Sequence, residues 1–248
     1  MNKDMLSTEE LVDRWEERRE IKNLMGRYAV SFLLKKEATM FSEFWSTRND
    51  ISMGTNNGWY IGREAIASWF AAIDHATRVK AALLKADLPD KLGSKTDEEL
   101  YGIGDFDVKP LGTPVIELAG DMQTAKGIWY SQGSKADVTT AGPVSYWTFG
   151  IFAVDFILES NEWKIWHLQY LEDIKCLCGQ SWATQQTMFS DLEAFAAIGA
   201  LVVPEPTVKV TLREYYHPER KMPKFPRIPE PYPTFAATFS YGYEKKEA

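Results

Sequence analysis

Histidine and cysteine are scarce in this chain, and their scarcity removes several kinds of chemistry. The three histidines, His75, His167 and His217, are scattered and no two share the spacing of metal ligands. The two cysteines, Cys176 and Cys178, are too close for an ordinary disulfide and lack the second pair a zinc site needs, so they read as packing thiols. Basic charge is also short. With 28 Lys and Arg against 35 Asp and Glu, the net charge is −7 and the pI near 5.2, which argues against a nucleic-acid partner. No apolar run approaches membrane-spanning length, and the N-terminal MNKDMLSTEELVDRWEERRE lacks the apolar core of a secretory signal. Glycine-rich phosphate loops and nucleophile elbows are missing as well. The expectation is a soluble cytoplasmic protein with no metal, no cofactor and no membrane or nucleic-acid partner.

What is present is apolar and aromatic. At 248 residues, 45% hydrophobic and 13% aromatic, the chain can build a substantial core. Its centre holds two runs, SYWTFGIFAVDFILE and WKIWHLQYLEDI, rich in aromatic and β-branched residues and flanking Ser160, Asn161 and Glu162. That is the pattern of a long antiparallel hairpin. If Glu159 pairs with Trp163, Asp155 falls opposite His167 with both side chains on one face. Gln169 lies beside them on that face. A carboxylate facing an imidazole is a simple acid/base unit, although a histidine bonded to a neighbouring carboxylate is also an ordinary core arrangement. A slip of one residue would part the pair.

In chain order, Ser7 and Glu10 have capping-box spacing, and Leu11, Trp15, Ile21, Leu24, Met25, Tyr28 and Phe32 recur at helical period. A long helix to Lys36 is predicted, then a short one from Ala38 to Trp45. ISMG and WYIG form a small hairpin, followed by a helix from Arg63 to Lys85. The polar stretch 86–110 reads as an insertion or lid. PVIELAG and TAKGIWYSQG form a second hairpin, and the polar segment from Ser134 to Pro143 links it to the central one. A helical patch runs from Trp182 to Ile198. The last 45 residues carry eight of the twelve prolines together with many aromatics, so they should lie extended along a surface.

The stretches IKNLMGRYAVSFL, FSEFW, GREAIASWF, VIELAGDMQTAKGIWY and DFILESNEWKIWHLQYLEDI together resemble the SnoaL-like group of the nuclear transport factor two-like superfamily. The resemblance implies an α+β fold: a cone-shaped barrel with a curved antiparallel sheet around N-terminal helices, here residues 1–180. Residues 181–248 would form a helical patch and a Pro-rich tail packed on a neighbouring subunit of a homodimer or homotrimer. It also implies a site inside the cone. There a cofactor-independent lyase, dehydratase or isomerase would act by acid/base chemistry on a small apolar, aromatic or polycyclic molecule, including formaldehyde release from lignin-derived aromatics. The alternative is a non-catalytic ligand-binding or protein-interaction module of the same fold.

In scytalone dehydratase-like members the first-helix tyrosine matches Tyr28, whereas Leu33 stands where they carry an Asp. The candidate catalytic residues are therefore His167 as general acid/base, Asp155 orienting it, and Tyr28 donating to the substrate oxygen. Trp129, Lys126, Tyr60, Trp59, Trp147 and Gln169 are the candidate substrate contacts, each with packing or solvent exposure as the plainer reading.

Overall fold

Ser7 starts the first helix. Its side chain accepts from the Glu10 amide, and the Glu10 carboxylate accepts from the Ser7 amide at 2.7 Å, completing the expected capping box. The computed structural model describes residues 6–139, 142–184 and 204–245. Helix α1 (Thr8–Leu33) buries Ile21, Leu24, Met25, Tyr28 and Phe32, whereas Leu11 and Trp15 remain exposed, so only the second half of the apolar stripe is core. Arg14 fixes this helix to the sheet, its guanidinium donating to the carbonyls of Leu118 and Ala119 at 3.0 Å.

Helix α2 (Glu37–Phe44) follows, then the hairpin of β1 (Ser52–Thr55) and β2 (Gly58–Ile61). Gly58 has φ +148°, and a Cβ there would lie 2.3 Å from the Val208 carbonyl oxygen, so no other residue fits. Helix α3 (Gly62–Asp87) packs Ile66 and Phe70 inward. The stretch expected as an insertion or lid contains α4 (Pro89–Leu92), α5 (Asp97–Leu100) and β3 (Phe106–Val108), the last joined to the sheet. Strands β4 (Val115–Leu118), β5 (Thr124–Thr139), β6 (Gly142–Glu159) and β7 (Glu162–Leu177) complete the main sheet, and β8 (Val208–Lys209) caps its edge. Within the segment from Ser134 to Pro143, expected as a polar link, residues 134–139 and 142–143 belong to the paired ends of β5 and β6.

The strand order is β3-β5-β6-β7-β1-β2-β8, with β4 also on β5. The pairings between these strands are antiparallel except β1 with β7. β5, β6 and β7 have 16, 18 and 16 residues, longer than most strands, and β-bulges interrupt the β6–β7 ladder beside Gly150 and Phe156. The result is a mixed α+β fold with a curved, open sheet and the N-terminal helices on its concave side. The hydrophobic core lies between them, around Tyr28, Phe44, Trp45, Phe70, Phe152, Phe156 and Ile165.

The convex side is covered by the chain's own C-terminal segment. Residues 232 and 233 accept from the amides of Gly120 and Asp121, Arg213 holds Asp173 at 2.6 Å, and the Tyr243 amide donates to Ser52 Oγ. Among the described residues, the segment 204–245 lies along the chain's own sheet. The expected helical patch from Trp182 to Ile198 lies, beyond Thr184, outside the described residues.

Candidate active site

The hairpin turn between β6 and β7 is shorter than its sequence suggested. Ser160 and Asn161 alone form it, both at positive φ, so Glu159 pairs with Glu162 and Leu158 with Trp163. Trp166 is then the extra residue of a bulge, after which Asp155 pairs with His167. The expected dyad thus exists, with His167 Nδ1 2.9 Å from Asp155 Oδ2. The other ring nitrogen lies 3.2 Å from the Asp50 carbonyl oxygen.

This dyad is closed to solvent. Asp155 is fully buried and His167 is 6% exposed. Lys126 donates to Asp155 Oδ1 at 2.5 Å, while Ser240 Oγ and the Tyr241 amide donate to Oδ2 at 3.0 and 2.7 Å. The Lys126 ammonium lies between the rings of Phe235 and Phe239, each 4.7 Å away, and that of Tyr241 at 5.0 Å. Trp166 stacks on the imidazole at 4.5 Å, and a Cβ on Gly242 would come within 2.7 Å of the ring. Burial pushes the Asp155 carboxyl up, but the His167 hydrogen bond and the Lys126 charge outweigh it and hold it below the ordinary range. Burial lowers Lys126, against the pull of Asp155.

The hollow of the fold is on the other face. Strand side chains alternate, so Phe152, Leu168 and Tyr170 point to the concave side while Asp155 and His167 point away. Those concave residues, with Tyr28, Phe32, Tyr60 and Trp69, wall a cavity of about 600 Å³. One part of it is charged. Lys80 donates to Asp105 and, at 3.2 Å, to Asp137 Oδ1; the Tyr146 hydroxyl donates to Asp137 Oδ2 at 3.1 Å; Lys109 donates to Asp107. Lys35 lies 3.5 Å from Asp105, and Lys135 lies 3.7 Å from Asp137.

Burial divides these groups electrostatically. It pushes Lys80 down to about 8, with Asp137 resisting, and it raises Glu37 against the pull of that residue's own amide and of Lys35, with the Asp107 charge adding to the rise. Burial also raises Asp107 and Asp137, but their lysines prevail and keep both below the usual carboxylate range. Desolvation alone drives the Tyr28 phenol upward. Carboxyls shifted in opposite directions within one hollow are the raw material of acid/base catalysis.

The sequence-derived candidates therefore separate. Tyr28 and Tyr60 line the cavity. Asp155, His167, Lys126 and Gln169 lie under the tail, where the Gln169 amide donates to the Tyr241 carbonyl at 2.7 Å. Trp59 is there too, its ring 6.0 Å from that of Tyr243. Trp129 packs in the core against Phe156, and Trp147 is 43% exposed. The expected convergence of Tyr28 with the dyad fails because helix and dyad are on opposite sides of one sheet. The sequence reading missed the charged lining, although DFDVK at 105–109 and Lys135 with Asp137 alternate charged and uncharged positions as a polar strand face does.

The model of the SnoaL-like domain matches residues 13–169. Rv3472 from Mycobacterium tuberculosis, a protein of unknown function, is similar in structure, with 15% identity and a TM-score of 0.47 over 80% of this chain and 97% of that one. The hexachlorocyclohexane dehydrochlorinase LinA-type3 from Novosphingobium barchaimii has 13% identity and a TM-score of 0.43 over 72% and 97%. An NTF2-like protein with a cystatin-like fold from Novosphingobium aromaticivorans has 18% identity and a TM-score of 0.41 over 71% and 94%. No curated protein matches this chain in sequence. Among the described residues, no helix is long and apolar enough to cross a membrane.

Proposed function

Because this chain belongs to the SnoaL-like domain family, we propose that it is a cofactor-independent lyase, dehydratase or isomerase whose chemistry takes place in the concave cavity. The observation that carries this reading is the buried set Lys80, Asp137 and Tyr146, joined by hydrogen bonds and opening onto an aromatic-walled hollow of about 600 Å³. A hollow of that size fits one small molecule, and its walls favour a flat, largely apolar, aromatic one. The Asp137 carboxylate is the base that takes a proton from carbon. The Lys80 ammonium and the Tyr146 phenol are the donors that hold the oxyanion as it develops. Such proton transfer draws only on side chains.

The sealed state of Asp155 and His167 favours a second reading for that pair, a structural clamp beneath the tail. It leaves open a non-catalytic ligand-binding protein of the same fold. Incubation with a panel of aryl alcohols, β-hydroxy aryl ketones and diarylpropane diols, followed by mass spectrometry, separates the two. Loss of water or formaldehyde, or isomerisation, abolished in Lys80→Met and Asp137→Asn, is the enzyme's result. Binding without conversion across the panel is the binding module's result and overturns the enzymatic reading.

A further inference from the structure

Glu37 is a cavity carboxyl that the proposed machinery leaves without a task. It is the first residue of α2, lines the hollow, and is 2% exposed. Its Oε2 is buried with no hydrogen-bond partner among the described residues. An ionised carboxylate does not tolerate that setting, because each unmet lone pair of a buried charge is expensive, whereas a neutral carboxyl does. The neighbouring Asp107 already takes the Lys109 ammonium and stays ionised. Of two carboxyls close in space, the one bonded directly to a lysine is favoured as the charged member, and the one whose Oε2 is buried without a partner as the protonated member.

We propose that Glu37 is the general acid of this cavity, a protonated carboxyl that donates to the departing oxygen of an aromatic substrate bearing a hydroxyl or ether group. The assignment rests on the concave cavity being the site. In the elimination it serves, Asp137 takes the proton from carbon and the electron pair of that C–H bond forms the new π bond. The C–O bond breaks with its electron pair going to oxygen, and the Glu37 proton moves to that oxygen, so water or an alcohol leaves. The proton on Asp137 then returns to Glu37 through solvent, and no oxidant or reductant is needed. The net rise of Glu37, driven by burial against its own amide and Lys35, agrees with this role.

The test is infrared difference spectroscopy on the full chain at neutral pH, with 4-nitrophenol as the cavity probe. The expected result is a protonated-carboxyl C=O band, sensitive to H₂O/D₂O exchange, that disappears in Glu37→Gln and shifts when the probe binds. A wild-type protein without the band, or a band unchanged in Glu37→Gln, overturns the assignment. Probe binding that is lost in Phe152→Ala but leaves the band unshifted overturns the acid role and spares the cavity. Failure of the probe to bind the wild type counts against the cavity reading and takes the acid role with it.

Discussion

The Tyr241 amide donates to Asp155 Oδ2 at 2.7 Å across 86 positions of sequence, and this bond ties the C-terminal segment to the centre of the sheet. Asp155 gathers Lys126, His167, Ser240 and Tyr241, so its carboxylate is the point at which the tail and the convex face meet.

Removing that carboxylate leaves Lys126 buried without its counter-charge. Asp155→Ala should destabilise the fold by about 3–5 kcal/mol, the usual loss on breaking a buried pair. Asp155→Asn keeps the shape and should lose less. Denaturant melts measure the loss, and limited proteolysis should show earlier cleavage in residues 204–245. A tail as resistant as in the wild type would contradict the clamp.

Acid should act on the same point. Asp155 lies below its ordinary 3.8 in the folded chain, so its contribution is complete above that value and is lost as pH falls through the folded value. Tail cleavage by an acid-tolerant protease should therefore rise only in strongly acidic solution, and Asp155→Asn should flatten that part of the profile.

Glu37 has the opposite sign. Its folded value is raised above 4.5, so the folded chain is penalised once pH exceeds 4.5, and the penalty is complete above the folded value. Glu37→Gln, which cannot ionise, should be more stable than the wild type in neutral and alkaline solution, with the gain vanishing in acid. Melting temperatures across pH check it; a uniform loss of stability would show instead that the carboxyl is a structural acceptor.

Lys80 should set a pH limit on the proposed turnover. If its ammonium holds the oxyanion, activity should fall as pH rises through about 8. Lys80→Arg should move that limb upward, and Lys80→Met should reduce kcat about 10²-fold or more with folding intact. An unchanged profile in Lys80→Arg would remove Lys80 from the chemistry.

Packing under the tail gives a further test. A Cβ at Gly242 would lie 2.7 Å from the His167 ring, which is held by Trp166 and Asp155 and has little room to yield. Gly242→Ala should cost about 1–3 kcal/mol, as overpacking does. An unaltered melt would mean that the tail lifts away freely.

Much of this architecture is legible in residues. Ser7 with Glu10, and Thr96 with Glu99, announce helix starts by a local hydrogen-bond pattern, and the hairpins follow from alternation and turn chemistry. Alternation alone leads to the pairing of Asp155 with His167 only through a turn one residue too long, and the Trp166 bulge restores the register. A bulge leaves no clear mark in sequence, so that agreement owed something to compensation. Which face the pair would take was harder to read. The even positions Phe152, Val154, Phe156 and Leu168 are uniformly apolar and belong to the core, so the face carrying Asp155 and His167 had to be the other one. The covering of that face depends on contacts between residues some 70 to 190 positions apart, such as Tyr241 with Gln169 and Tyr243 with Ser52, which no local pattern encodes.

The position of a bound aromatic molecule decides most directly between the two faces. A crystal soaked with 4-nitrophenol should show the ring among Tyr28, Trp69, Phe152 and Tyr170, with the phenol oxygen toward the charged lining. A ring found beside His167, with Phe235 and Tyr241 displaced to admit it, would contradict the placement of the site in the concave cavity.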